Sequence, residues 1–318
     1  MGIFDAFPWT NFHEVNLDWI IRRVKELGAA WDDLSKTLDP KIVAAVNQWF
    51  ADHPEQADAM QVATDAKQTA EQAASAAAAA EVMASRPESV VKVSGHIDPD
   101  ARQAWLTLTI PRAAARVEIG NNGDVQNDSA QASVFDWAQN NDCDIAINCD
   151  YFPSKMMLAG VQYGTSDREN VLTYTAYNPT TEDFKLYPAG TSFQTIKAAG
   201  YTYIFGTSWQ LLDNGAPMTT MYDNIKVDPR MTFGWDNTNY YICVNLGRNA
   251  QFDGITPAQQ RAIMQGLGAL YAVNFDGGGS TQMAIRQGGA VMRVNGVTDY
   301  GKTPRKVPLH VAFKLREG

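Results

Sequence analysis

A chain of 318 residues, 45% hydrophobic and 19% charged, has the composition of a folded protein with at least one large core. Its formal net charge of −9 argues against a nucleic-acid groove, which presents a basic face to phosphates. No apolar run is long enough to cross a bilayer, and the opening Met1 to Thr10 lacks the basic and apolar regions of a signal peptide, so synthesis in a cytoplasm without export by that route is expected.

From Asn11 the apolar residues Leu17, Ile20, Val24, Leu27, Trp31, Leu34 and Leu38 recur at alternating gaps of three and four, a heptad seam that Pro40 ends. An amphipathic helix packed on its own domain gives a similar stripe, but the strict period favours a coiled coil or bundle. A second helix is predicted from Lys41 to His53, with Ile42, Val43, Val46, Trp49 and Phe50 on one face and Pro54 as its stop. Glu55 to Ser85 is alanine-rich. Alanine favours helix, yet a lone alanine helix buries little apolar surface, so an oligomeric stalk is expected, with a solvated helix or linker as the alternative.

Arg86-Pro87-Glu88 punctuates a change from helical to strand periodicity and sets a boundary between a helical stalk at 1–85 and a second domain at 86–318. Strands are predicted at Val90 to Val93, Ala104 to Ile110, Ala115 to Ile119, Ile145 to Ile147, Val171 to Tyr177, Tyr201 to Phe205 and Trp209 to Leu212. A short helix is expected around Val134, Trp137 and Ala138. Pro229 to Trp235 and Tyr240 to Leu246 read as a hairpin across Asp236-Asn-Thr-Asn239. Thr256-Pro-Ala-Gln259 is a capping box with proline at the first helical position, so a helix should run to Leu267 and stop at Gly268. Two closing strands are predicted at Val291 to Val294 and Val307 to Leu315. The resulting class is α+β: an N-terminal helical coiled-coil stalk followed by a mixed, mostly β domain.

The most informative stretch is Tyr271 to Ile285, where a buried-strand pattern runs into Gly277, Gly278 and Gly279, flanked by Asp276 and by Ser280 and Thr281. Glycine lets a ligand approach the main chain, where successive amides form an anion-binding concavity. A plain hairpin turn is the competing reading. A P-loop is excluded because no lysine follows the glycines and the next segment reads as a strand. A nucleophile elbow is excluded because Gln282 stands where a glycine is needed. Other polar residues also fall at predicted strand ends: Asn148 and Asp150, Arg230 and Thr232, Asn295 and Arg305. Arginine clamps phosphate with its planar fork, and carboxylates such as Asp150 and Asp276 can serve as acid, base or nucleophile. Taken singly, each has a structural alternative as a turn former, ion pair or loop cap. Cys143, Cys149 and Cys243 lack metal or disulfide spacing and are expected as buried thiols, and the four histidines are too scattered for a metal site. No metal or cofactor is indicated; the sequence leaves open whether a divalent ion assists.

The ordered combination of Ala146-Ile-Asn-Cys-Asp-Tyr-Phe152, Pro229-Arg-Met-Thr-Phe-Gly234, the helix ending at Leu267-Gly-Ala269, Ala272-Val-Asn-Phe-Asp-Gly-Gly-Gly-Ser-Thr281, Asn295 and Arg305 resembles the phosphodiester glycosidase family over residues 90–318. Where that family reads Asn-Gly-Gly, this chain reads Asn148-Cys149-Asp150, which alters the pocket or adds a carboxylate. The segment Phe7 to Ile21 looks like the opening of virion appendage proteins of phages. Together the resemblances imply a phage tail hydrolase that cleaves a sugar-1-phosphate diester in a host-surface polymer such as teichoic acid or a phosphate-containing capsule. Its catalytic candidates are Asp276, Asp150 and Arg230, with Asn148, Thr232, Gly277, Gly278, Gly279, Ser280, Thr281, Asn295 and Arg305 binding substrate. Host glycan, other tail proteins and further copies of the chain, as a trimer, are the expected partners, with no nucleic acid and no membrane insertion. The alternative is a tail protein of the same fold that binds glycan without cleaving it.

Overall fold

The computed structural model describes residues 48, 51, 91–121, 132–149, 154–167, 171–218, 226–249, 251–287, 289–295 and 303–316. The chain divides into two compact units, Met1–Ala70 and Glu71–Gly318, and every strand described lies in the second.

The elements in chain order are β1 (Lys92–Asp98), β2 (Gln103–Pro111), β3 (Ala115–Gly120), α1 (Val134–Asn140), β4 (Ile145–Asn148), β5 (Met156–Leu158), β6 (Val161–Tyr163), β7 (Thr173–Asn178) and β8 (Asp183–Pro188). They continue with α2 (Phe193–Ala198), β9 (Tyr203–Thr207), β10 (Trp209–Asp213), β11 (Ala216–Pro217), β12 (Met231–Trp235), β13 (Asn239–Asn245), α3 (Pro257–Leu267), β14 (Tyr271–Asn274), β15 (Met283–Gln287), β16 (Ala290–Arg293) and β17 (His310–Leu315). They form a seven-stranded sheet ordered β1-β2-β13-β12-β14-β10-β11, a five-stranded sheet ordered β16-β15-β4-β17-β3 and another ordered β6-β5-β9-β7-β8.

These sheets correct the expected class. Every strand pair described is antiparallel, so the domain is mostly β with three short helices, and the mixed sheet is replaced by three antiparallel ones. The physical reason is visible at α3. It joins β13 to β14, which run in the same direction, but β12 lies between them and pairs antiparallel with both. Among the described residues there is no coiled-coil stalk. The heptad seam from Leu17 and the alanine run lie outside the described residues, as does the boundary at Arg86-Pro87-Glu88.

Alternating side chains build the interior, because successive residues of a strand point to opposite faces. On β13, Tyr240, Ile242 and Val244 enter the central core while Tyr241 and Cys243 face the cluster under α3. On β17, Val311 and Phe313 point inward and Ala312 packs beneath α1. On β7, Tyr177 joins the central core and Tyr174 and Ala176 meet Phe193 and Ile196 of α2. Each sheet therefore gives one face to a shared core and the other to its own helix. Burial on both faces explains why several strands read as apolar runs rather than clean alternations.

Candidate functional site

The glycine stretch is not a hairpin. β14 ends in the seven-stranded sheet and β15 begins in the sheet of β4 and β17, so Phe275 to Gln282 carries the chain from one sheet to the other. The loop is tied down along its length. Phe275 N–H donates to Met231 O at 2.9 Å, Asp276 N–H to Cys149 O at 3.0 Å and Gly278 N–H to Pro229 O at 2.8 Å. A single 3-10 turn over Gly278–Ser280 follows, with Ser280 and Thr281 donating to Gly277 O and Gly278 O at 3.2 Å each. The amides of Gly277 and Gly279 have no acceptor among the described residues. Two of the glycines are sterically required. A Cβ on Gly277 would lie 2.8 Å from Pro229 O, and Gly278 has φ +61, a left-handed conformation that glycine adopts freely.

Two buried asparagines staple the loop ends. Asn148 donates through Nδ2 to Asp276 O at 2.7 Å and accepts from Gln282 N–H at 2.9 Å. Asn295 donates to Thr281 O at 2.7 Å and accepts from Met283 N–H at 2.8 Å. Each staple meets one backbone donor and one acceptor that would otherwise be buried unpaired, which costs roughly 1–3 kcal/mol per group. Gln282 extends the network, accepting from Val134 N–H at the start of α1 and donating to Arg305 O at 2.7 Å.

Beneath the loop, the Thr232 hydroxyl is fully buried and accepts from Gln260 Nε2 of α3 at 2.6 Å. The same nitrogen donates to Asn274 Oδ1 at 2.7 Å, and Asn274 donates to Ser208 Oγ at 2.5 Å. This polar layer anchors the end of β14 to the helix above it.

Arginines surround the loop in three different ways. Arg230 is only 5% exposed; it donates to Ile255 O at 2.9 Å and Lys226 O at 2.6 Å and lies 5.5 Å over the Trp209 ring. Arg305, exposed, reaches Ser280 Oγ with Nη1 at 3.2 Å. Arg248 packs directly against Gly278: a Cβ there would lie 2.7 Å from Nη2, 2.9 Å from Cζ and 3.0 Å from Nη1. Asp228 holds Arg248 through Nε–Oδ1 at 2.8 Å and Nη2–Oδ2 at 3.3 Å.

The structure thus brings Asn148, Arg230, Thr232, Asp276, Gly277, Gly278, Gly279, Ser280, Thr281, Asn295 and Arg305 to one loop and its supports, with Asp276 partly exposed. Asp150 lies outside the described residues. Sequence reasoning missed Arg248, Asp228 and Gln260. For Arg248 a signal existed, since Gly247-Arg248 follows a strand end as Arg230 precedes one. Among the described residues no group of three or more His, Cys, Asp or Glu is gathered to hold a metal ion. The three cysteines are free and buried, and burial pushes the Cys143 and Cys243 thiols up to about 12, so neither serves as a thiolate at neutral pH.

The fold has solved counterparts. The catalytic domain of zebrafish N-acetylglucosamine-1-phosphodiester alpha-N-acetylglucosaminidase, auto-inhibited by its pro-peptide, aligns with TM-score 0.56 and 14% identity over 73% of this chain and 85% of that one. A hypothetical protein from Synechocystis aligns with TM-score 0.53 and 13% identity over 71% of this chain and 62% of that one. At such identities the likeness is one of fold. No match is found among curated proteins. The model of the phosphodiester glycosidase family matches residues 40–314, a wider span than the 90–318 of the motif resemblance at its start. With most of its length matched and its glycine loop, strand-end asparagines and arginines assembled at one place, the chain belongs to the phosphodiester glycosidase family.

Proposed function

We propose that this protein hydrolyses the C1–O bond of a sugar-1-phosphate diester in a cell-surface polymer, teichoic acid or a phosphate-bearing capsule, as part of a phage tail or appendage. The observation that carries the reading is the loop from Asp276 to Thr281: a rigid, glycine-backed turn with arginines against it and unengaged amides at Gly277 and Gly279. Such a surface suits a phosphate, because backbone amides and guanidinium groups donate to its oxygens without rearranging. Phosphate departs with less protonation than an alcohol, so one carboxylate can suffice where glycosidases commonly use two. Asp276 is that carboxylate in this reading: its backbone N–H and C=O are both fixed, by Cys149 and Asn148, while its residue stays partly exposed. The phage setting is supported by the resemblance of Phe7 to Ile21 and has the neighbouring tail proteins as partners.

The test is release of sugar and phosphomonoester from purified host wall polymer. Asp276→Asn should lower the rate at least about 100-fold, the usual scale for removing an acid–base group. Equal rates for the variant and the parent would refute the role of Asp276. A binding head without turnover is the second reading, favoured by how many polar groups of the loop are already bonded within the fold; tight polymer binding with no new ends would select it.

A further inference from the structure

We infer that β1 is a homodimer interface: this edge of the seven-stranded sheet pairs antiparallel with β1 of a second copy, across a two-fold axis at Gly95. Assembly of this kind does not depend on what the glycine loop binds.

β1 has β2 on one side and no neighbouring strand on the other among the described residues. An open strand edge is a row of unpaired donors and acceptors, and folded proteins normally blunt it with proline, a bulge or brevity. The opposite edge of the same sheet follows that rule, since β11 is two residues long and contains Pro217. β1 does not. It is the longest edge strand described, seven residues without proline, and its register with β2 is unbroken from Lys92 opposite Thr109 to Asp98 opposite Gln103.

The strand is complementary to itself. In an antiparallel pair related by a two-fold, one residue must face its own copy, and only Gly95, the middle of β1, lets all seven residues pair. That register sets Lys92 opposite the partner's Asp98 and Val93 opposite the partner's Ile97, and the symmetry repeats each pair. Opposite charges and apolar side chains facing across a ladder are stabilising combinations. Asp98 is held ready by Ala101 N–H, which donates to its Oδ1 at 2.9 Å, and neither Asp98 nor Lys92 has an ion-pair partner among the described residues. Ile97 is 58% exposed, the most exposed large apolar residue described, and by alternation it shares a face with Val93, which packs against the central core. The partner's Val93 covers it. Gly95 has no use for its missing side chain within its own fold: its φ lies outside the left-handed region, and a Cβ there would meet only Leu106 Cδ1, at an ordinary 3.8 Å. A glycine inside a strand marks a place where another backbone comes close, and here that place is the axis. Pairing joins the two sheets into one and sets the two β14 strands, each leading into a glycine loop, roughly 40 Å apart before twist. Two such loops would hold a repeating ligand at two points, the one consequence that rests on the proposed function.

The experiment is sedimentation equilibrium of the full chain across the micromolar range, beside mild oxidation of variants with one added cysteine. The three native cysteines are buried. Gly95→Cys should form a disulfide-linked dimer, because facing residues of an antiparallel pair have Cα atoms about 4.5–5.5 Å apart, within reach of a disulfide. Ser94→Cys should not, because residue 94 faces the partner's His96 and stands roughly 8 Å from its own copy. Lys92→Asp should weaken the dimer about tenfold, since the two-fold repeats the repulsion. Adding Asp98→Asn, which keeps the acceptor for Ala101 N–H, should recover several-fold of that loss. A chain that stays monomeric throughout, a Gly95→Cys variant that does not cross-link, or a Ser94→Cys variant that cross-links as readily would each overturn the inference. A trimer without the residue-95 cross-link would overturn it too and would favour the stalk as the seat of assembly. None of these outcomes bears on sugar release, so assembly and hydrolysis stand or fall separately.

Discussion

His310 opens β17, an interior strand of its sheet; it is fully buried and paired in register with Asn148 on one side and Gly120 on the other. Its ring stacks on Trp137 at 4.7 Å and 3°. Burial, set against the hydrogen bond between Nδ1 and Gly120 O at 3.3 Å, lowers its pKa from the ordinary 6.5 to about 4. A depressed pKa in the folded state means that the unfolded chain binds the proton more tightly. The contribution to stability is present in full above pH 6.5 and is lost as the pH falls toward 4, by up to about 3 kcal/mol. His310→Phe keeps a ring on Trp137 and removes the titration. Urea midpoints followed from pH 7 to pH 4 should fall less steeply in the variant; identical slopes would contradict this assignment. The site residues teach a related lesson. Polar residues at strand ends around a glycine run were legible from sequence, but their use was not. Asn148 and Asn295 bond the loop backbone on both amide atoms, and Arg230 turns inward to carbonyls. Which way a polar side chain turns depends on tertiary partners, which for Asn148 lie more than 100 residues away.

At the level of elements, α3 follows its local code. Thr256 Oγ1 accepts from Gln259 N–H at 3.2 Å, Gln259 Oε1 accepts from Thr256 N–H at 2.8 Å, Pro257 opens the helix and Gly268 ends it at φ +88. Thr256→Ala should cost about 1 kcal/mol in urea unfolding, the usual value of a lost N-cap. A loss near zero would show that packing of Gln260 and Met264 alone sets the helix start. The hairpin of β12 and β13 and strands β2, β3 and β4 were equally legible, since pattern and turn chemistry agree there. β5, β6, β8 and α2 were not predicted. β5 and β6 are three residues each, too short to show a period, and β8 at a sheet edge mixes buried and exposed positions irregularly. The glycine loop misleads in another way: two strands joined by a glycine turn normally pair, and here non-local partners claim each of them first.

For the whole molecule, the shared core governs behaviour. Phe233 is fully buried and meets Phe275 at 5.6 Å, Phe184 of β8 at 4.9 Å and Phe313 of β17 at 6.2 Å, so a single ring touches residues of all three sheets. Phe233→Ala should cost about 3–5 kcal/mol. Because the sheets share that core, the loss should appear in one transition, seen alike by tryptophan fluorescence and far-ultraviolet circular dichroism. Separate midpoints would show that the sheets unfold independently. The position of β17 adds a consequence for biosynthesis. It lies between β4 and β3, and it is the last described strand to leave the ribosome. Until then the nascent chain holds β3 without its partner, and β4 lacks one neighbour while the Asn148 staple already faces the loop. The sheet behind the glycine loop is thus completed only once β17 has emerged, and a product stalled before it would expose two unpaired strand edges to whatever chain lies nearby.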